Sequence, residues 1–382
     1  MHWETLLQHD AFDLRRSGRF LVADLKLPHI VLSTSARNGG QVDSVRHLLN
    51  HQSCEGTAHL ERHRVITESG PEAYHDRVCA ETGLPGNATA MMGTAANMNY
   101  AAIVSETDDG VTVTAVVTAG VEGNATTAGE PATWRETDAG MQKVPAHAGT
   151  INTMLLINRP LTLPALARTV VTMTEGKSAA LQRLAVPSKL HVDLATGTGT
   201  DQYCVAVTAA GYKPLTSAST HMKLGELVGL AARRATLEAL RWQNGLEASY
   251  TRGIFHALGR YGVKEATVFD DLAPMLSEAD LDLLKKNSKA AFYEPMVGAS
   301  AHALASTCDR IRHGMLPESV ARDAIVQQAA TLAANLSTQL HRWSEFRTRL
   351  QPYAGGSAPG DVKTTTLRAI ALGWSEKWRA DV

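Results

Sequence analysis

YAAIVSETDDGVTVTAVVT (Tyr100–Thr118) carries the clearest fold signal in the chain. Two runs rich in β-branched and apolar residues, 100–106 and 110–118, flank Asp109-Gly110, a strong two-residue hairpin signal. An antiparallel pair is expected here. Upstream, FLVADLK and HIVLSTS read as two short strands within 20–35, joined near Pro28. A helix is expected over 70–82 with Ser69 as its N-cap. Downstream, GTINTMLLIN (Gly149–Asn158) reads as a strand. A helix follows from about Leu163 to Leu184, with Leu163, Leu166, Ala167, Val170, Val171, Leu181 and Leu184 at helical spacing. Thr162 is its expected N-cap, and Pro164 is tolerated in the first turn. LHVDLA and YCVAVTA read as strands either side of ATGTGTD (Ala195–Asp201), and a long helix is expected from Thr220 toward Trp242. These elements predict an α+β fold: a mixed, largely antiparallel sheet with packed helices, followed by an all-α C-terminal region.

The change of character comes after Asn244-Gly245. Residues 246–350 are rich in Ala, Leu and charged side chains, with helix starts at Ser277-Glu278 and Pro317-Glu318. QPYAGGSAPGD (Gln351–Asp361) reads as a linker before a short terminal helix that can dock or hang free. The expected division is 1–245 as an α+β domain, 246–350 as a helical domain, and 351–382 as linker and helix.

Composition excludes several classes. With 382 residues, 44% of them hydrophobic, the chain is long enough for a real core. A formal charge of -1 gives no reason to expect nucleic acid or an anionic membrane as partner. Cys54, Cys79, Cys204 and Cys308 form no CxxC pair, so neither a thiolate zinc site nor a disulfide framework is expected, and a reducing cytoplasm fits. The N-terminus lacks a signal-peptide pattern, and no apolar run approaches the ~20 residues that span a bilayer.

The chemistry-bearing stretches are short and small-polar: TAGVEGNA (Thr118–Ala125), GTINTMLLIN, TEGKSAAL (Thr174–Leu181), ATGTGTD and HMKLGELVG (His221–Gly229). Glycine lets backbone approach a ligand, while Thr, Asn and Asp supply hydrogen-bonding groups. ATGTGTD fails the dinucleotide fingerprint, because Gln202 stands where the third glycine belongs and a strand follows. It reads better as a turn whose N–H groups and hydroxyls form a donor site. GKS at 176–178 is no phosphate loop, since Val171 replaces the first glycine. Lys177 falls inside the apolar stripe of its helix, so it must be paired, snorkel, or line a pocket. His221 opens a helix, where free N–H groups favour anions or carbonyl oxygens. His47 with His51, and His59 with His63, are four apart and would share a metal only if helical; no HExxH completes the pattern, and no metal is expected. There is no GxSxG elbow. Thr150, after a glycine and before a strand, is a candidate nucleophile exposed by self-cleavage.

Together with SARNGG (Ser35–Gly40), these runs in this order resemble the adenosylcobinamide amidohydrolase family over about residues 15–245. The resemblance implies hydrolysis of the amide between aminopropanol and the corrin propionyl side chain, giving adenosylcobyric acid and 1-amino-2-propanol in corrinoid salvage. It implies a corrinoid as substrate, with no required cofactor; a homo-oligomer stays open. Where family members carry Arg and then Gly-Asp, this chain reads Thr127 and Gly129-Glu130, and Ser219-Thr220 replaces an expected glycine, departures that bear on substrate tolerance. Amide hydrolysis needs a nucleophile, oxyanion donors worth about 3–4 kcal/mol each, and a proton for the amine. The expected catalytic groups are Glu175 or Asp201 as base and Lys177 or His221 as proton donor. Asn38, Thr118, Asn124, Thr150, Asn152, Asn158, Thr196, Thr198, Thr200, Lys223 and Glu226 are the expected substrate-binding set, the asparagines suiting the side-chain amides of a corrin. Two alternatives accompany this reading: a non-catalytic corrinoid-binding protein, and an N-terminal-threonine amidohydrolase using Thr150.

Overall fold

A computed structural model describes residues 1–54, 64–66, 68–132, 134–138, 140–143, 150–209 and 211–378. The chain forms two compact units, Met1–Leu190 with Leu194–Leu246, and His191–Asp193 with Glu247–Val382.

The first unit is built on two sheets. The strands are β1 (Glu4–Gln8), β2 (Phe12–Ser17), β3 (Phe20–Leu25), β4 (His29–Ser33), β5 (Gly40–Val42), β6 (His47–Gln52), β7 (Thr89–Thr94), β8 (Ala102–Asp108), β9 (Val111–Ala119), β10 (Ala125–Thr126), β11 (Trp134–Thr137), β12 (Gly140–Lys143), β13 (Ile151–Ile157), β14 (Gly197–Thr198) and β15 (Gln202–Thr208). Its helices are α1 (Pro71–Thr82), α2 (Leu163–Arg183) and α3 (Lys223–Asn244). One sheet runs β1-β2-β3-β6-β7 and the other β5-β4-β15-β13-β9-β8, with β10-β14 and β11-β12 as two-stranded ribbons. Among the described strands only β6-β7 and β13-β15 pair in parallel. This is the mixed, largely antiparallel α+β architecture the sequence predicts.

The Asp109-Gly110 hairpin has positive φ at both residues, 44° and 73°, as a type I′ turn requires, and Asp108 faces Val111. All seven residues of β13 are buried, because helices cover one face of its sheet and the second sheet covers the other. Val113, Ala115, Val117, Leu155 and Val205 pack against Leu166, Met173, Leu181, Leu227 and Val228 of α2 and α3. On the opposite face Val116, Met154, Leu156 and Cys204 meet Leu14, Leu21, Leu48 and Met92. The outer face of the smaller sheet, through Phe20, Val22 and Leu49, is covered by Tyr74 and Val78 of α1. The layers are therefore helix, sheet, sheet, helix. Each fully buried Leu or Val contributes roughly 1.5–3 kcal/mol.

Helices α2 and α3 cross closely. A Cβ built on Gly176 would lie 2.7 Å from the Gly229 carbonyl oxygen. Ala in a helix normally outranks Gly by about 1 kcal/mol. Here the backbone clash reverses the sign, and Gly176→Ala is expected to lower stability by about 1–3 kcal/mol. A urea midpoint at or above that of the parent chain would refute this close contact.

Two local expectations need correction. Gly70, not Ser69, occupies the cap position of α1; Ser69 instead donates to the Val65 carbonyl at 2.6 Å. LHVDLA is not a strand. Val192 packs on the helical core of the second unit, and Asp193 accepts from Arg312 (3.1 Å) and His313 (3.2 Å), partners that local pattern cannot reveal.

The second unit contains α4 (Ala248–Thr251), α5 (Ile254–Leu258), α6 (Val268–Leu272), α7 (Glu278–Lys286), α8 (Ser288–Phe292), α9 (Pro295–Arg312), α10 (Glu318–Ser337), α11 (Trp343–Leu350) and α12 (Pro359–Glu376). Ser277 caps α7 through its side chain, accepting from Asp280 N–H. The terminal helix α12 lies in this core: Leu367, Ile370 and Trp374 are buried, and Trp374 Nε1 donates to the Asp280 carbonyl at 2.9 Å.

Candidate functional site

The site grows from the turn between α2 and β15. Residues 197–198 pair with β10, Ala125 facing Thr198 and Thr126 facing Gly197. This brings the TAGVEGNA and ATGTGTD stretches side by side. Asp201 ties the turn to its neighbours. Its Oδ1 accepts from Thr198 Oγ1 (2.5 Å) and Ile151 N–H (3.0 Å); its Oδ2 accepts from Thr198 N–H (3.1 Å) and from the Lys177 ammonium. The Lys177–Asp201 pair is largely buried, with side chains 15% and 18% exposed. The lysine on the apolar stripe of α2 is therefore paired. Gly197 leaves the room for this pair, since a Cβ there would lie 2.5 Å from Asp201 Oδ2 and 2.9 Å from Lys177 Nζ.

Thr150 stands at the start of β13, 8% exposed, with its Oγ1 2.6 Å from Thr200 Oγ1. Asn124 Nδ2 reaches the same Thr200 hydroxyl at 3.4 Å, and its carbonyl accepts from Gly199 N–H at 3.2 Å. Thr196 is held by Ala128 N–H on its hydroxyl (2.9 Å) and Ser178 Oγ on its carbonyl (2.8 Å). Lys177, Asp201, Asn124, Thr150, Thr196, Thr198 and Thr200 thus converge.

Other expected site residues lie elsewhere. Glu175 is exposed on α2 and 4.0 Å from Arg168; two residues from Lys177, it points about 200° away around the helix. His221 is exposed ahead of α3, beside the Lys223–Glu226 ion pair (2.8 Å), whose lysine feels Asp108. Asn158 closes the hairpin, accepting from Thr112 N–H (2.7 Å) and donating to the Gly110 carbonyl (3.0 Å). His221, Lys223, Glu226 and Asn158 occupy the hairpin end of the sheet, roughly 25 Å along β13 from Thr150 at ~3.3 Å per residue. The sequence could not show this, because α2 and α3 run antiparallel to β13 and β15 and carry their N-termini to the far end. Asn38 spends its Nδ2 on the Gly86 and Thr89 carbonyls, both at 2.8 Å, and shapes its own loop. Thr118 and Asn152 are 1% and 0% exposed, too enclosed to touch a ligand.

The described histidine pair, His47 and His51, gives no metal geometry. His47 and His51 lie on strand β6, His47 bonding Asp24 (2.7 Å) and His51 being buried against Phe20 and Tyr74. His51 is thus a core residue rather than a surface histidine. His59 and His63 lie outside the described residues. Burial pushes the Cys204 thiol up to about 12, which keeps it protonated and unreactive at neutral pH.

One carboxylate was not expected here. Glu130 Oε2 accepts from Thr126 Oγ1 (2.6 Å), Ser188 Oγ (2.9 Å) and Thr127 N–H (3.1 Å). Burial pushes this carboxyl upward, but the three donors outweigh it and hold it below the ordinary glutamate value. A depressed folded value stabilises the fold above the unfolded pKa of about 4.3, and that stabilisation is lost as pH falls through the folded value. Glu130→Gln is therefore expected to lose stability at pH 7 and to converge on the parent chain in strong acid. Denaturation midpoints at pH 7 and pH 3 check this; an equal gap at both would refute it. The sequence marks Glu130 only as the carboxylate of Gly129-Glu130, which stands where family members carry Gly-Asp.

Among the described residues no helix is long and apolar enough to cross a membrane. A sequence model for adenosylcobinamide amidohydrolase matches residues 4–248. The uncharacterized protein MJ1613 of Methanocaldococcus jannaschii is 34% identical over 183 residues, 46% of this chain and 71% of that protein. The crystal structure of the PH0078 protein from Pyrococcus horikoshii OT3 aligns over 62% of this chain and 82% of that one, with 14% identity and a TM-score of 0.27, too low to carry a structural comparison.

Proposed function

The chain belongs to the adenosylcobinamide amidohydrolase family, and from that premise we propose that it hydrolyses the aminopropanol amide of adenosylcobinamide to adenosylcobyric acid and 1-amino-2-propanol at the threonine cluster around Asp201. The observation that carries the assignment is the Thr150–Thr200 hydroxyl contact of 2.6 Å beside the Lys177–Asp201 pair.

Asp201 accepts four hydrogen bonds, filling the roughly four lone-pair sites of a carboxylate. It orients Lys177 and the turn and has no lone pair left to act as base. Glu175 and His221 face away from the threonines. These positions favour Thr150 as the nucleophile over water activated by a carboxylate.

The scheme runs in two stages. Thr150 Oγ attacks the Gly149 carbonyl, the Gly149–Thr150 amide breaks, and water hydrolyses the resulting ester. This frees the α-amino group of Thr150, a group that ordinarily titrates near pH ~7.7–8.0 and serves as base. In turnover that amine takes the Thr150 hydroxyl proton as oxygen attacks the substrate amide. Lys177, with one of its three ammonium hydrogens on Asp201, stabilises the oxyanion. The α-ammonium returns the proton to the departing amine, and water hydrolyses the Thr150 ester to the acid. The corrinoid enters as substrate, no resident cofactor is required, and cysteines kept as thiols suit a reducing cytoplasm.

Incubation with adenosylcobinamide followed by mass analysis of the corrinoid product tests the reaction. Binding without release of 1-amino-2-propanol would make the chain a corrinoid-binding protein instead. Intact mass tests the nucleophile separately: two fragments divided ahead of Thr150 are expected, and an active single chain of 41.0 kDa would discard the Thr150 scheme while leaving the reaction in place.

A further inference from the structure

We infer that a buried polar layer one rung inside the threonine pair locks the two sheets in register, so that Asn50 and Gln202, with Thr118 and Asn152, are positioning residues for Thr150 and Thr200. The layer crosses the sandwich. Asn50 on β6 donates through Nδ2 to Thr118 Oγ1 on β9 at 2.8 Å. Asn152 on β13 donates to Asn50 Oδ1 at 2.9 Å and to the Gly93 carbonyl on β7 at 3.2 Å. Gln202 on β15 accepts from Gly93 N–H at 2.9 Å. Each bond runs from one sheet to the other.

Register explains why the layer bears on the site. Thr118 faces Asn152, and Asn152 faces Gln202, so the three form one row across the larger sheet. Successive side chains alternate faces along β13, and the Thr150 carbonyl continues its ladder by accepting from Gly120 N–H at 3.1 Å, so Thr150 and Asn152 share the face turned toward the smaller sheet; Thr200, in the turn ahead of β15, joins them through its 2.6 Å contact with Thr150 Oγ1. The next rung inward is apolar: Val116, Met154 and Cys204 against Leu48 and Met92. Such a rung slides without breaking directional contacts; the amide row does not.

The layer is also costly. Asn50, Thr118 and Asn152 are at most 1% exposed, and Asn152 Oδ1 is buried without a hydrogen-bond partner among the described residues. An unsatisfied buried carbonyl destabilises a fold, whereas apolar groups of the same shape in place of both partners are close to neutral. A polar row kept at the one end where the hydroxyls converge is better explained by alignment than by stability. Asn50, Thr118 and Asn152 are too enclosed to meet substrate, so they act through the threonines.

The inference rests on the threonine-centred reading above. The triple variant Asn50→Leu, Thr118→Val, Asn152→Leu is expected to melt at or above the temperature of the parent chain. With adenosylcobinamide as substrate, its kcat is expected to fall about 100-fold while KM stays within about twofold, the split that a displaced nucleophile produces. Should the triple variant fail to fold, Gln202→Met, which cuts only the link to Gly93, is judged by the same split. Parental kcat, or a fall in kcat that accompanies a matching loss of melting temperature, overturns the positioning role. No amine release by the unaltered chain overturns the catalytic reading and this inference together, so the two failures are distinguishable.

Discussion

Thr150→Ala is expected to abolish amine release from adenosylcobinamide, with kcat down by about 10⁴-fold or more, as for removal of other catalytic nucleophiles. The side chain it removes is small and, among the described residues, its hydroxyl bonds a neighbouring threonine hydroxyl, so the fold should survive with a melting temperature near that of the parent. The same variant should remain one chain, because the oxygen that opens the Gly149–Thr150 bond is gone. Corrinoid binding should persist. Parental turnover in Thr150→Ala would remove Thr150 from the chemistry and return the reaction to an attacking water.

The second large effect is on stability as well as rate. Asp201→Ala strips Lys177 of its partner and leaves three further donors, Thr198 N–H, Thr198 Oγ1 and Ile151 N–H, without their acceptor. Removing one partner of a buried ion pair costs about 3–5 kcal/mol, and the partial exposure here argues for about 3. For a unit of this size that lowers the melting temperature by roughly 6–12 °C. Turnover should fall with it, since the ammonium loses its orientation. Adding Lys177→Met to Asp201→Ala should recover part of the stability and none of the activity. A double variant no more stable than the single one would show that the unpaired ammonium is not the source of the loss.

Much of the fold could be read from local signals. Asp109-Gly110 fixes a hairpin by its need for positive φ, and Thr162, Ser277 and Pro317 mark helix starts. Lys177 on an apolar stripe had to be paired, snorkel or line a pocket, and it pairs with Asp201. The failures lie in tertiary geometry. His221 sits in a motif of the right type, but only the direction of α3 relative to the strands decides which end of the sheet it reaches; Glu175 lies two residues from Lys177 but on the opposite side of α2. The sequence does not single out Asn50, because its role needs the second sheet, which no single strand announces. Val192 and Asp193 looked like strand because their apolar–acidic alternation is the same whether the neighbour is a strand or a helical core.

Those last residues have a consequence for how the chain can be taken apart. His191–Asp193 belong with the helical unit although the sequence on both sides of them belongs to the sheets. A fragment expressed from 247 onward would leave Arg312 and His313 without the carboxylate they share and strip the bundle of Val192. The bundle is therefore no cassette that gene fusion could splice on at a single seam; any chimera must graft a tripeptide insert along with the C-terminal half.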